Sequence, residues 1–155
     1  MHSDLVRFDC LTGTQFDDAI TGIGPQDSRF HFQPPTGIRY YLPRRVYCDQ
    51  APDSRVFFIA SIPAHSDPSH PREIIAMLEI AAHEGASDKA VGIKYVSTKE
   101  AYRKQGLGFH LYLLLAHYLK TNSLALYRTR PGRDTPSAFT ASISRLLSQH
   151  QITLV

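Results

Sequence analysis

Six consecutive residues carry the clearest chemical signal in the sequence: Arg103-Lys104-Gln105-Gly106-Leu107-Gly108. They combine two basic side chains with two glycines, and a glycine lets the backbone approach a ligand without an intervening Cβ. If a helix begins here, its first turn adds N–H groups that have no partner within the helix, together with a partial positive charge. Such a segment favours the binding of an anion, above all a phosphate or diphosphate. We call residues 103–108 the glycine loop.

The segments on either side of the glycine loop have the periodicity of a strand and of a helix. Alternation of hydrophobic residues predicts a strand over residues 91–98. Beyond the loop, hydrophobic residues recur at helical spacing and predict a helix over residues 107–120, which Asn122 stops. The glycine loop is therefore expected where a strand is followed by a helix.

A resemblance to a known family rests on residues 96–108. They read Val96-Ser97-Thr98-Lys99-Glu100-Ala101-Tyr102-Arg103-Lys104-Gln105-Gly106-Leu107-Gly108, which resembles the central signature of the GNAT superfamily of N-acetyltransferases. The resemblance implies acetyl-CoA as cosubstrate, with its pyrophosphate bound by backbone amides of Arg103, Lys104, Gln105, Gly106, Leu107 and Gly108. It also implies that the pantetheine arm lies along the strand edge at Val96, Ser97 and Thr98. An ordinary strand-to-helix turn is the alternative explanation of the glycines.

The order of predicted elements extends this resemblance to the whole chain. Further strands are predicted at residues 6–11, 37–42, 55–62, 74–80, 123–127 and 152–155, with helices at residues 14–20 and from Thr135 to about Gln149. Loops are expected at residues 22–35, with one turn of helix, and at residues 63–71. The resemblance implies an α/β (α+β) fold: a mixed, mostly antiparallel central sheet of about six or seven strands flanked by helices. Residues 1–155 are expected to form a single GNAT-like acyl-CoA-binding domain.

Composition and charge agree with a CoA-binding enzyme. The chain has 155 residues, 43% of them hydrophobic and 20% charged, which is typical of a globular protein with a substantial core. Residues 1–100 carry 10 basic and 13 acidic side chains, whereas residues 101–155 carry 7 and 1. Arg128, Arg130 and Arg133 add to this basic end, which favours a phosphorylated ligand, although a solvated basic loop explains them as well. No membrane span or secretion signal is recognised, so a cytoplasmic protein is expected.

The catalytic groups are less clear. In the direct transfer that the resemblance implies, an acceptor amine attacks the thioester, a base removes its proton, and an acid protonates the departing thiolate. Glu79 is the first candidate for the base, followed by Glu84 and His83. The alternation of its strand offers another interpretation, in which Glu79 is simply the solvent-facing residue.

The acid that the family often places in its last helix, a tyrosine, is absent, since no tyrosine follows Tyr127. Tyr112 and Tyr127 are the substitutes, although aromatic residues there are more often core packing. Ser142 or Ser144 occupies the usual neighbourhood. A CoA-binding or interaction module that has lost catalysis therefore stays open as an alternative.

Other constellations are weaker. Cys10 and Cys48 have no metal-site spacing and are expected to be free core thiols, and the histidines at 65 and 70 fit a solvated loop, so no metal is predicted. Tyr40 and Tyr41 among basic residues leave a nucleic-acid-associated protein as a further, less favoured alternative. An amine of a small molecule or protein is the expected acceptor. The oligomeric state, a homodimer included, stays open.

Overall fold

A computed structural model describes residues 6–13, 15, 30–32, 40–42, 55–63, 72–82, 89–128 and 137–155. These residues form one mixed, mainly antiparallel sheet of seven strands with helices packed against it. The strands are β1 (Arg7–Thr12), β2 (Phe30–Phe32), β3 (Tyr40–Leu42), β4 (Arg55–Pro63), β5 (Arg72–Ala82), β6 (Ala90–Thr98) and β7 (Ala125–Leu126), and the helices are α1 (Leu107–Thr121) and α2 (Ser137–Gln149). The fold class predicted from the sequence is confirmed.

Strand β5 lies at the centre of the sheet. Along one edge it pairs antiparallel with β4, which pairs in turn with β1. Its other edge is shared by two strands, because β3 runs parallel to Arg72 and Glu73 while β6 runs antiparallel to residues 76–82. β2 completes a hairpin with β3, and β7 runs parallel to the start of β6. The strand that leads into the glycine loop, β6, therefore lies next to the longest strand.

Helices α1 and α2 pack against one face of this sheet. The buried stripe of α1, predicted from its spacing, is confirmed at Leu107, Leu111, Leu115 and Leu119 and also includes Tyr112 and Ala116. Ile143, Leu146 and Leu147 of α2 join the same core cluster. The sheet contributes Phe58, Leu78 and Ile80 among other side chains. This packing holds the first turn of α1 at the end of β6.

Both faces of β4 and β5 are buried, which explains why their sequences are almost continuously apolar. Phe57, Ile59 and Met77 belong to the face that does not contact α1 and α2, and each is at most 2% exposed. A charged residue on that face is therefore buried as well, and this has consequences for Glu79.

Several predictions about single elements need correction. Residues 30–32 form β2 rather than part of a loop, because the short Phe30-His31-Phe32 alternation pairs with β3. Residues 152–155 contribute only one parallel bridge, from Leu154 to Leu126. Cys10 is free as predicted, but it is exposed on β1 rather than in the core. Cys48 lies outside the described residues.

The helix predicted after β1 is described only at its beginning. Thr12 Oγ1 accepts a hydrogen bond from Gln15 N at 3.2 Å, and Gln15 Oε1 accepts one from Thr12 N at 2.9 Å. This reciprocal pair is a capping box, which marks the start of a helix. Residues 14 and 16–20 lie outside the described part of the chain.

Candidate acyl-CoA site

The glycine loop adopts a conformation that depends on glycine at one position. Gly106 has φ +82° and directly precedes α1, and Lys104 is also left-handed with φ 63°. A Cβ built on Gly106 would meet no atom within 4 Å, so this position faces open space. Gly108 differs, because its Cβ would lie 3.4 and 3.5 Å from ring atoms of Phe139 on α2. Gly106 thus serves the turn and leaves room in front of it, whereas Gly108 serves helix packing.

The backbone amides of the loop are available to a ligand. Residues 103–106 are exposed, and α1 begins immediately after them. Among the described residues, the amides of Lys104 to Phe109 donate no hydrogen bond, whereas His110 N donates to Gly106 O at 3.0 Å. These amides and the positive end of the helix macrodipole form a site suited to a diphosphate.

Strands β6 and β7 separate near the start of β6. They pair only at Ala90 with Ala125 and Val91 with Leu126, and Tyr127 N then donates to Val91 O at 2.9 Å. The opposite edge of β7 bonds to the C-terminal segment, since Leu126 N donates to Thr153 O at 2.9 Å and Arg128 N to Val155 O at 3.1 Å. Within the described residues, positions 93–98 of β6 therefore have no strand partner on the side of β7. An extended ligand can hydrogen-bond to this edge as a strand would.

The predicted cofactor residues on β6 lie at that open edge and are joined to the glycine loop. Val96 is 43% exposed, although it is apolar. Thr98 ends the strand, and its carbonyl accepts a hydrogen bond from Arg103 Nε at 3.1 Å. The structure therefore brings the two groups of predicted cofactor residues, 96–98 and 103–108, into one continuous surface.

Strand β6 also contains an irregularity next to this surface. Its register with β5 pairs Tyr95 with Glu79 and Ile93 with Ile80, so Lys94 is an extra residue. Such a bulge rotates the following peptide groups and increases the local twist. The bulge directly precedes the segment at Val96 to Thr98.

Glu79 is buried, so the prediction that it faces solvent is wrong. It is 1% exposed, and its Oε2 lies 3.8 Å from Nη1 of Arg55, which is 2% exposed. The Arg55 guanidinium also lies 5.5 Å from the centre of the Phe57 ring. Two opposite charges are thus enclosed on the face of β4 and β5 that does not contact α1 and α2. Glu79 is close to the site through the backbone, since Tyr95, its partner on β6, precedes Val96.

The two candidate tyrosines occupy different environments. Tyr112 belongs to the helical core, where its ring meets that of Phe139 edge-on at 6.0 Å, and burial raises the pKa of its phenol. Tyr127 is half-buried at the point where β6 and β7 diverge. Position therefore favours Tyr127 over Tyr112 as a group near a bound thioester. Of the other candidates, His83 and Glu84 lie outside the described residues, and Ser142 Oγ donates to Ala138 O at 3.0 Å within α2.

The sequence reasoning missed Arg55 and Tyr95, both of which contact or flank Glu79. A signal for Arg55 was present, because Arg55 is the one charge in β4 and Glu79 is the one charge, of opposite sign, in the apolar stretch 74–82 of β5. Isolated charges in buried strands are expected to pair with each other. For Tyr95 the sequence held no comparable signal, since its register against Glu79 depends on the bulge at Lys94.

Two further features are absent from the described residues. They contain no group of three or more metal-capable side chains. Neither helix in that part of the chain combines the length and apolar character needed to cross a bilayer. The histidines at 65 and 70 and the arginines at 130 and 133 lie outside the described residues.

Comparison with known proteins relates the fold to acetyltransferases. No protein-family model and no curated protein sequence matches the chain. A solved structure of an aminoglycoside acetyltransferase from an uncultured soil metagenomic sample, in complex with trehalose, superposes with a TM-score of 0.54 at 10% identity, covering 95% of this chain and 90% of that one. This chain has a GNAT-like fold.

Two further solved structures are less similar. Nourseothricin acetyltransferase has a TM-score of 0.46 at 13% identity, covering 89% of this chain and 82% of its own. A putative streptothricin acetyltransferase from Bacillus anthracis, in complex with acetyl coenzyme A, has a TM-score of 0.40 at 12% identity, with coverage of 78% and 72%. At these identities the likeness concerns the fold alone.

Proposed function

We propose that residues 1–155 form a single acyl-CoA-binding domain that transfers an acetyl group from acetyl-CoA to an amine of a small molecule or a protein. The observation that carries the proposal is the set of amides from Lys104 to Phe109 at the start of α1, which donate no hydrogen bond to any described residue. They follow a strand whose positions 93–98 have no described strand partner on the side of β7. A diphosphate joined to an extended arm with amide groups matches both features.

Different residues of the chain have different roles in such a transfer. When bound, acetyl-CoA supplies an acyl thioester. The amides of the glycine loop bind the pyrophosphate, and the edge of β6 at Val96, Ser97 and Thr98 orients the extended arm. The amine nitrogen forms a bond to the acyl carbon as the carbon–sulfur bond breaks. The amine proton passes to a base, and the thiolate receives a proton from an acid or from water.

For the acid we propose Tyr127, because it lies where β6 and β7 separate. Tyr112 is the matched comparison, since its phenol is enclosed by the helical core. Glu79 stays our candidate for the base. Because it is 1% exposed, a proton would reach its carboxylate through water or through the side chain of Tyr95, its cross-strand partner on β6.

A CoA-binding module without catalysis is the second candidate, and the burial of both Glu79 and Tyr112 favours it. The two candidates agree on cofactor binding and differ on turnover. A panel of amines separates them, because only the enzyme releases CoA thiol as amide forms.

The test begins with calorimetric titration of acetyl-CoA and CoA into the full chain. We expect binding of both, and no heat with either would refute the proposal in both forms. Turnover is then compared in Tyr127→Phe and Tyr112→Phe. Loss of a positioned acid lowers kcat by about 10²-fold or more, so we expect this only in Tyr127→Phe. Equal rates in the two variants would remove Tyr127 from the mechanism.

A further inference from the structure

Lys99 attaches the connection between β6 and α1 to the central strand. Its backbone N donates to Ile75 O at 2.8 Å, and its ammonium group forms an ion pair with Glu73 Oε1. The two side chains are 30% and 22% exposed, so the pair is partly shielded from water. The Lys99 charge, four residues before the glycine loop, is therefore engaged by Glu73.

Glu73 lies where β5 changes its partner. β3 pairs with β5 at Arg72 and Glu73, and β6 takes over at Ala76, with the Lys99 hydrogen bond to Ile75 between them. On the opposite edge, the register between β4 and β5 shifts after Ala60, beside this stretch.

Arg72 stabilises that shift. Its Nε donates to Ser61 Oγ at 2.9 Å and its Nη2 donates to Ser61 O at 3.0 Å. The segment of β5 that binds Lys99, residues 72–75, is thus fixed on both edges. It is therefore a rigid support for the connection between β6 and α1.

A short series of backbone hydrogen bonds connects Lys99 to the glycine loop. Tyr102 N donates to Lys99 O at 2.9 Å and Arg103 N to Glu100 O at 3.2 Å, which closes one 3-10 turn. The Tyr102 side chain packs against the hydrophobic core. Arg103 Nε donates to Thr98 O, so the Arg103 guanidinium stabilises the loop itself, in addition to any contact it makes with a ligand. The left-handed residues Lys104 and Gly106 follow directly.

We propose that Glu73 and Lys99 are positioning residues for the glycine loop: their ion pair presets the directions of its amides for a diphosphate. This inference rests on the proposed function, because it concerns the same site. The loop contains two left-handed residues, and a loop that must be ordered by its ligand binds it less tightly than one that is already ordered. Neither residue needs to contact the ligand to have this effect.

Glu73→Gln tests the inference through the sign of its effect. It removes a negative charge near a site for an anion, so electrostatics alone would strengthen CoA binding. Loss of positioning would weaken it, and we expect the Kd for CoA to rise about three- to tenfold, which is typical of interacting residues. Isothermal titration gives the Kd, and thermal unfolding gives the stability of each variant.

Two further variants complete the design. Arg7→Gln breaks an exposed ion pair to Asp9 on β1, 3.0 Å long and outside the site, and is expected to leave the Kd unchanged. The exchanged pair Glu73→Lys with Lys99→Glu is expected to recover most of the affinity lost in Glu73→Gln. Glu73→Ala replaces Glu73→Gln if that variant does not fold, because it removes the same negative charge and electrostatics alone would again strengthen CoA binding.

The outcomes are distinguishable. If the parent binds CoA and Glu73→Gln binds it equally or more tightly, the inference is wrong while the proposed function stands. A lower melting temperature with an unchanged Kd also overturns it, because the pair is then structural only. If the parent itself does not bind CoA, the proposed function fails first.

Discussion

The glycine loop and the Arg55–Glu79 pair are two polar regions of one sheet, and they are built in opposite ways. In and just after the loop, the amides from Lys104 to Phe109 donate no hydrogen bond to a described residue, and residues 103–106 are exposed. In the pair, two full charges are enclosed and face each other at 3.8 Å. A region that keeps polar groups available is suited to binding, whereas a region that encloses them is first a matter of stability. Polarity alone therefore does not identify a binding site, because the polar groups must also be accessible to a ligand.

The largest effect is expected where the enclosed pair is broken. Arg55→Met removes the cation that lies 3.8 Å from the Glu79 carboxylate, and we expect the free energy of unfolding to fall by about 3–5 kcal/mol, as for other buried ion pairs. Arg55→Met combined with Glu79→Gln should lose less, because no buried anion remains. Urea unfolding measures both. A loss in Arg55→Met no greater than in the surface variant Arg7→Gln would show that the enclosed charges contribute little.

A smaller effect on stability and a larger one on binding are expected at Gly106. In Gly106→Val, the valine adopts φ +82° only with strain, which lowers the free energy of unfolding by about 1–2 kcal/mol. The amides also change direction, and one lost charge-assisted hydrogen bond of about 1.5–3 kcal/mol weakens CoA binding by about tenfold or more. Gly106→Asn is the control, because asparagine tolerates the left-handed region. Calorimetry gives the affinity, and urea unfolding gives the stability.

Gly108→Leu sharpens the contrast between the two glycines. Its side chain would press on Phe139, so we expect a loss of about 1–3 kcal/mol in stability from overpacking. CoA affinity should change less than in Gly106→Val. The reverse order, with Gly108→Leu the weaker binder, would contradict the assignment of Gly106 to the ligand side.

The smallest effect concerns pH. Burial raises the pKa of Tyr112 above its ordinary value of 10.0, so the folded chain retains this proton at a pH where the unfolded chain releases it. The stabilising contribution is complete below pH 10 and is lost as pH rises towards the folded pKa. Unfolding by urea at pH 9 and pH 11 should show a smaller decrease in Tyr112→Phe than in the parent. Tyr118, whose pKa is raised mainly by burial and also by Cys10, accounts for part of the decrease that persists. Identical decreases would place Tyr112 in a wetter environment than the core.

Prediction from sequence succeeded where the signal is local. The strand before the glycine loop and the helix after it were both expected, and they are observed at Ala90–Thr98 and Leu107–Thr121. The hydrophobic periodicity of each element repeats at least twice, and it indicates which face of that element is buried. β2 was missed because three residues are too few to establish a period, and its pairing with β3 decides it. The contacts made by the Arg103 and Lys99 side chains were missed because the spacing of hydrophobic residues gives no information about hydrogen bonds or ion pairs between polar side chains.

By itself, the sequence determined the strand, the glycine loop and the helix, because the spacing of hydrophobic residues and the conformational freedom of glycine act over a few neighbouring residues. Only the tertiary structure decided the environment of Glu79. Alternation in one strand cannot tell whether the second face of the sheet is covered, and in this fold it is. Tertiary packing likewise decided which residue of each of two similar pairs is enclosed. Phe139, in the other helix, fills the space beside Gly108 and contacts the ring of Tyr112 edge-on. A Cβ on Gly106 would meet no atom within 4 Å, and Tyr127 lies where β6 and β7 separate.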